Sequence, residues 1–195
     1  IIISYYFKLL NMSGKTREEL IYLARLAEQC ERYDEMMNYV IHFCEATKEE
    51  LTKDEKDLVQ DSFKNIVGKR RASWRIINLI QNKKMRNNEK TRAEHARAYK
   101  QVIEAELTQK CELILKLLEQ TLVPKAKSAE YKIFLQKMRG DYYRYMAEYS
   151  EGQSKESAAS LAEKSYQATS DLVHQDESNG GLSATHPSRL SLALN

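Results

Sequence analysis

An all-α protein, an antiparallel helical bundle of about seven helices, is what this sequence predicts, and three observations carry that expectation. Charged residues make up 30% and apolar residues 42% of the 195, with only six glycines and two prolines. This composition favours long amphipathic helices over turn-rich β architectures. Apolar residues recur by threes and fours through most of the chain, which is the helical period. A threonine is also followed three residues on by glutamate at Thr16/Glu19 and again at Thr52/Glu55, the capping-box pattern that starts helices.

Taken in order, the first residues read IIISYYFKLLN, too short a run to cross a bilayer and without the small-residue cleavage site of a signal peptide. Met12 follows, so residues 1–15 are expected to be a leader or disordered N-terminal extension, with membrane anchoring as the lesser alternative. Leu20, Leu23, Leu26, Ala27 and Cys30 then predict a first helix, and Tyr33, Met36, Met37, Val40, Ile41 and Cys44 a second, with Glu31 to Asp34 as a tight junction. Thr52 opens a long helix through Leu58, Val59, Phe63, Ile66, Val67, Trp74, Ile77 and Ile80, expected to end near Gln81, and Asn82 to Asn88 reads as a loop. Ala96, Tyr99, Ile103, Leu107, Ile114 and Leu118 mark the next helix, which should stop before Pro124 because a residue preceding proline is driven out of the α region. Two long helices joined by a short loop must lie antiparallel.

Ser128 can cap a helix carrying Tyr131, Phe134, Leu135, Met138, Tyr142, Tyr145 and Met146, expected to close at Gly152. Ser154 to Val173 reads as a further helix, with Ala158, Leu161, Ala162, Tyr166 and Leu172. The polar run Asp176 to Gly181 should link it to a helix beginning near Pro187, whose apolar face opens with Leu190 and Leu194.

Composition narrows the function classes. Three cysteines lie far apart and outside any C-x-x-C, and the four histidines are scattered singly, so no metal site, disulfide framework or hydrolytic set is expected. No cofactor motif or nucleophile-base arrangement appears, and no enzymatic activity is expected. The net charge of +3 is small, yet from Lys64 to Lys100 twelve Lys or Arg face only Glu89 and Glu94. A local excess of this kind suits an anionic partner. Nucleic acid would require interleaved aromatics, and only Trp74 and Tyr99 are available; a solvated helix face is the bland alternative.

At about 100° per residue, Lys64, Arg71 and Arg75 fall within about 20° of one helical line. Lys137 and Arg144 repeat the seven-residue spacing, with Tyr145 beside Arg144 and Asp141 placed to orient the pair. Like charges stacked this way repel, so an anion from outside the chain is expected to resolve the conflict, and a phosphate dianion suits paired guanidinium donors.

Four segments, LAEQCERYDEM at 26–36, KNIVGKRRASWR at 64–75, KMRGDYYRY at 137–145 and THPSRLSLALN at 185–195, closely resemble the signature segments of the 14-3-3 family, with epsilon-like wording. The resemblance implies a 14-3-3 fold lacking its last two helices. It implies a non-catalytic adaptor that binds phosphoserine or phosphothreonine segments of phosphorylated client proteins and regulates them in signalling, through a basic pocket in an amphipathic groove. Lys64, Arg71, Arg144 and Tyr145 match its phosphate-contacting set, Arg75 and Lys137 support it, and Leu194 and Asn195 match positions that hold the ligand's backbone. A homodimer, or a heterodimer with related chains, is implied through Leu26, Cys30, Ser73, Ile77, Ile80 and Tyr99, with Arg32 and Glu106 as an intersubunit ion pair.

The resemblance divides an incomplete domain at 16–195 into 16–123, for dimerisation and the first half of the groove, and 128–195, for its second half. It places the protein in the cytoplasm, with the nucleus as a second compartment, without nucleic-acid partners or a membrane span. Three departures stand out: Val102 where many members carry lysine, a longer Val173 to Ala184 connection, and the missing last helices. Arg70-Arg71-Ala72-Ser73 also has the upstream arginines that basophilic kinases favour. A tetratricopeptide-like scaffold is the structural alternative, but no 34-residue repeat recurs.

Overall fold

The computed structural model describes residues 14–178, and side chains to residue 174. Within them lie α1 (Arg17–Gln29), α2 (Tyr33–Ala46), α3 (Lys53–Arg86), α4 (Lys90–Leu117), α5 (Ala129–Tyr149) and α6 (Gly152–Ser178). Two compact units divide between Ile66 and Val67, inside α3. Residues 1–13 and the expected Pro187 helix, with Leu190, Leu194 and Asn195, lie outside the described residues.

In the first unit the capping box forms as the sequence predicts. The Thr16 hydroxyl accepts the Glu19 N–H at 3.2 Å, and the Glu19 carboxylate accepts the Thr16 N–H at 2.7 Å, which satisfies two of the donors that a helix start leaves open. α1 buries Leu20, Ala24 and Ala27, whereas Leu26 is 38% exposed and Cys30 is exposed. A sharp junction follows: the Arg32 N–H reaches back to the Ala27 carbonyl at 2.8 Å, and Glu31 takes a φ of 54°. α2 packs on α1 and buries Met36, Met37, Tyr39, Val40, Phe43 and Cys44.

A polar clasp joins three helix ends of this unit. Arg17 pairs with the buried Glu55 at 2.6 Å and donates to the Thr47 hydroxyl at 3.1 Å, while Glu55 also accepts the Thr52 N–H at 2.9 Å. Burial of a carboxylate is tolerable here because a charge partner and a backbone donor both satisfy it.

In the second unit, α3 and α4 run antiparallel, as the pairs Arg70–Glu106, Trp74–Glu104 and Asn78–Lys100 show. α3 continues five residues beyond Gln81, through most of the expected loop. None of Asn82 to Arg86 breaks a helix, and Lys83, Lys84 and Arg86 in its last turn complement the negative end of the helix dipole. The turn is confined to Asn87–Glu89, with Asn88 at φ 57°. α4 buries Ala93, Ala96, Ile103, Leu107, Cys111 and Ile114; Tyr99, expected on its apolar stripe, is 61% exposed. The chain then loosens into a π-turn, Leu118–Leu122, and a 3-10 turn, Val123–Lys125, where the missing N–H of Pro124 costs little.

Ser128 caps α5 by accepting the Tyr131 N–H at 3.3 Å. α5 ends at Tyr149, and Gly152, expected to close it, opens α6 with a φ of 55° that glycine adopts without strain. α6 also extends through Asp176, Glu177 and Ser178, half of the expected linker. It packs on α5 with a stripe of small residues, Ala158, Ala162, Ser165 and Thr169. Ser165 and Thr169 donate to carbonyls one turn back, both at 2.8 Å. No helix among the described residues is long and apolar enough to cross a membrane.

The Ser62 hydroxyl is fully buried in α3 and meets no hydrogen-bond partner among the described residues. Ser62→Ala should therefore stabilise the protein by about 1 kcal/mol, whereas Thr16→Ala, which removes the cap, should cost about 1 kcal/mol. Urea unfolding midpoints that move in the opposite order would contradict this account of the first unit.

Candidate anion-binding site

The second unit gathers charge from three helices. α3 contributes Arg71 and Arg75 one turn apart. α5 contributes Lys137, Asp141, Arg144, Tyr145 and Glu148, which helical geometry puts on one face, and α6 contributes Tyr166. The expectation that only an outside anion would relieve the stacked cations is corrected by Glu148. Its two oxygens accept Arg71 Nε at 2.6 Å and Arg75 Nε at 2.7 Å, so the chain bridges its own arginines.

Asp141 has a similar role two turns earlier on α5. It accepts Lys137 Nζ at 2.8 Å on one oxygen, and Arg144 Nη2 at 3.2 Å and the Tyr166 hydroxyl at 2.8 Å on the other. The Tyr166 hydroxyl in turn accepts Arg144 Nε at 3.1 Å. Tyr145 lies between the two arginines, with the Arg71 guanidinium 3.7 Å and the Arg144 guanidinium 4.7 Å from its ring centroid. Such contacts hold the cations where their mutual repulsion would separate them. Tyr142 supports that ring edge-on at 5.5 Å.

Among the described residues of this cluster four cations face two carboxylates. Arg71 is mostly covered, with 18% of its side chain exposed, and Arg75 is open at 58%. Burial works to raise the Glu148 pKa, but hydrogen bonds from Arg71 and Arg75 outweigh it and hold the carboxyl below its usual value. Two members of this cluster, Glu148 and Tyr166, escape the sequence reading. Glu148 follows Asp141 by seven residues, the spacing that singles out Lys137 and Arg144. For Tyr166 the one trace is Gly140, a glycine inside a helix, which marks a close approach.

Of the other expected ligand residues, Lys64 is exposed and lies in the first unit, and Leu194 and Asn195 lie outside the described residues. Among those expected to meet a second subunit, Leu26, Cys30, Ser73, Ile80 and Tyr99 are exposed and Ile77 is half-buried. Arg32 contacts Glu35, and Glu106 accepts Arg70 at 2.9 Å. No group of residues suited to hold a metal occurs among the described residues.

An all-helical protein that gathers an excess of cations over carboxylates on neighbouring helices has the character of a binding module. The family pattern described as 14-3-3 protein matches residues 23–195. The chain is 44% identical over 184 residues to the 14-3-3-like protein GF14 phi of Arabidopsis thaliana, covering 94% of this chain and 67% of that relative. It is 43% identical over 186 residues to the 14-3-3-like protein GF14-A of Oryza sativa subsp. japonica, covering 93% and 69%. It is also 42% identical over 184 residues to the checkpoint signal transducer rad24 of Schizosaccharomyces pombe, covering 94% and 66%. The chain belongs to the 14-3-3 family, a family of non-catalytic adaptors. Near-equal identities to plant and yeast relatives fix the family and not a subtype.

Because the Glu148 pKa is depressed in the folded state, its bridge contributes stability above the unfolded value near 4.5 and loses it as pH falls through the lower folded value. Glu148→Gln should therefore lower the melting temperature at neutral pH and flatten its fall below pH 4.5. Parallel acid limbs for the two proteins would show that the bridge contributes nothing.

Proposed function

We propose that this adaptor binds client proteins at phosphoserine or phosphothreonine, and that Arg71, Arg75, Lys137, Arg144 and Tyr145 form the seat of the phosphate. The observation that carries the reading is the charge surplus. Among the described residues of the cluster the cations outnumber the carboxylates by two, and a phosphate monoester carries about −1.5 to −2 at neutral pH. Among the described residues Arg71 is bonded through Nε, so its terminal nitrogens remain for an incoming oxygen pair, the geometry in which guanidinium groups bind phosphate best. Lys64, Leu194 and Asn195 enter this reading through the family resemblance alone, as do the cytoplasmic and nuclear compartments.

A phosphoserine peptide with basic residues before the phosphosite should bind, and its unphosphorylated twin should not. Arg71→Glu or Arg144→Glu should abolish the difference, because each places a negative charge where the phosphate must sit. Isothermal titration giving equal affinity for both peptides would sink the reading.

We also propose that a second copy or a related chain covers apolar residues of each unit: exposed Leu26 of α1 and Cys30 at its end in the first, half-buried Ile77 and exposed Ile80 of α3 and exposed Tyr99 of α4 in the second. Val102, 54% exposed, extends the apolar surface where many relatives are expected to carry lysine. Arg32 and Glu106 would exchange their present partners for one another across the interface. Ser73, exposed and bonded to the Lys69 carbonyl at 3.1 Å, stands one helical turn before Ile77 on α3, and phosphate there would oppose association. Leu26→Glu or Cys30→Glu should give a monomer, since either buries an unpaired charge at a cost of about 3–5 kcal/mol. Sedimentation of the unmodified chain as a monomer at micromolar concentration would refute the dimer.

A further inference from the structure

The phosphate seat proposed above depends on a residue that touches no ligand in that reading. Tyr166 stands on α6, the helix that contributes no cation to the seat, yet its ring lies close against the backbone of α5. A methyl group placed on Gly140 would come within 2.6, 2.8 and 3.0 Å of three of its ring atoms. Such a separation is open to glycine alone, so the position of the ring is set by the α5 backbone and not by a flexible neighbour. The ring's covered setting also matters electrically: burial raises the Tyr166 pKa, and the phenol keeps its proton at neutral pH.

The hydroxyl therefore has one way to arrange its bonds. Arg144 can only donate and the Asp141 carboxylate can only accept. The phenol oxygen thus takes the Arg144 Nε–H at 3.1 Å and gives its own proton to Asp141 at 2.8 Å. Asp141 also accepts Arg144 Nη2 at 3.2 Å and Lys137 at 2.8 Å. One carboxylate is thereby divided among three donors, and its direct grip on Arg144 is the longest of the three. The Nε edge of the guanidinium is fixed by the phenol.

From this geometry we infer that Tyr166 is a positioning residue for phosphopeptide binding: seated on Gly140, it locks the Arg144 guanidinium by its Nε edge so that the group meets the phosphate already ordered. The inference rests on the phosphate-binding reading of the cluster. Its physical content is preorganisation, because an arginine that is ordered before the ligand arrives loses no further rotamer entropy in the binding step.

Tyr166→Phe retains the ring on Gly140 and removes the hydroxyl. Affinity for the phosphopeptide should fall roughly five- to tenfold, the scale of ordering one long side chain, while the melting temperature stays within a few degrees. Gly140→Ala, which keeps the hydroxyl but displaces the ring, should show the same loss. A readout independent of any ligand is the Nε–H resonance of Arg144 in nitrogen-15 spectra. In Tyr166→Phe it should shift and exchange with water at least several-fold faster, a change that a purely structural tyrosine would not cause. If the unmodified protein discriminates phosphorylated from unphosphorylated peptide and Tyr166→Phe binds with unchanged affinity, the inference is overturned. If the unmodified protein does not discriminate, the phosphate reading fails on its own, and an Arg144 resonance unaltered by Tyr166→Phe overturns the positioning role separately.

Discussion

Four positive side chains on neighbouring helix faces are stable only if something negative stands between them, and in this chain two carboxylates do so. Glu148 bridges Arg71 and Arg75 across α3 and α5, and Asp141 joins Lys137 to Arg144 along α5. Both fix the directions of the cations as well as lowering their repulsion. Among the described residues the cluster thus holds enough negative charge to keep the helices together, with fewer carboxylates than cations. Under the proposed phosphate reading this intermediate state is what binding and release require, because full neutralisation would leave no attraction and none would let the cations splay apart.

The rest of the second unit serves that arrangement. α5 must come close to α6 for Tyr166 to reach Asp141 and Arg144, and the small side chains of α6 together with Gly140 permit it. α5 must also be held from its other sides. Arg139 and Tyr143 both reach Glu119 of the π-turn, at 2.8 and 3.1 Å, and Tyr149 meets the Thr108 hydroxyl of α4 at 3.2 Å. A helix anchored on three sides presents its charged face with little rotational freedom. The first unit uses a similar device at smaller scale, where one arginine, Arg17, ties the start of α1 to the end of α2 and the start of α3.

What was legible in the sequence was local. The Thr16 and Thr52 starts and the Ser128 cap depend on residues three apart, and the helices they open start where they should. The misjudged ends have physical reasons: Asn82 to Arg86 look loop-like by polarity, but a basic last turn favours continuing the helix, and Gly152 is as competent to begin a helix as to end one. Tyr99 fits the apolar period and still faces outward, because periodicity reports a face and not what covers it. The cations and Tyr145 were readable by spacing and by family resemblance. Glu148 and Tyr166 were not, since their roles arise only when α3, α5 and α6 are brought together.

The stretch from Lys64 to Lys100 illustrates how little a linear charge tally says about a folded surface. Among the described residues at least six of its twelve cations, Arg70, Arg71, Arg75, Lys84, Arg92 and Lys100, hold carboxylates, and three of those acids, Glu104, Glu106 and Glu148, come from later in the chain. A polyanion gains affinity by shedding its condensed counterions into solution, one for each cation that truly replaces them. Cations already matched by the protein's own acids displace few such ions, so a strand of repeating phosphates would hold to this surface far more weakly than its count of lysines and arginines suggests.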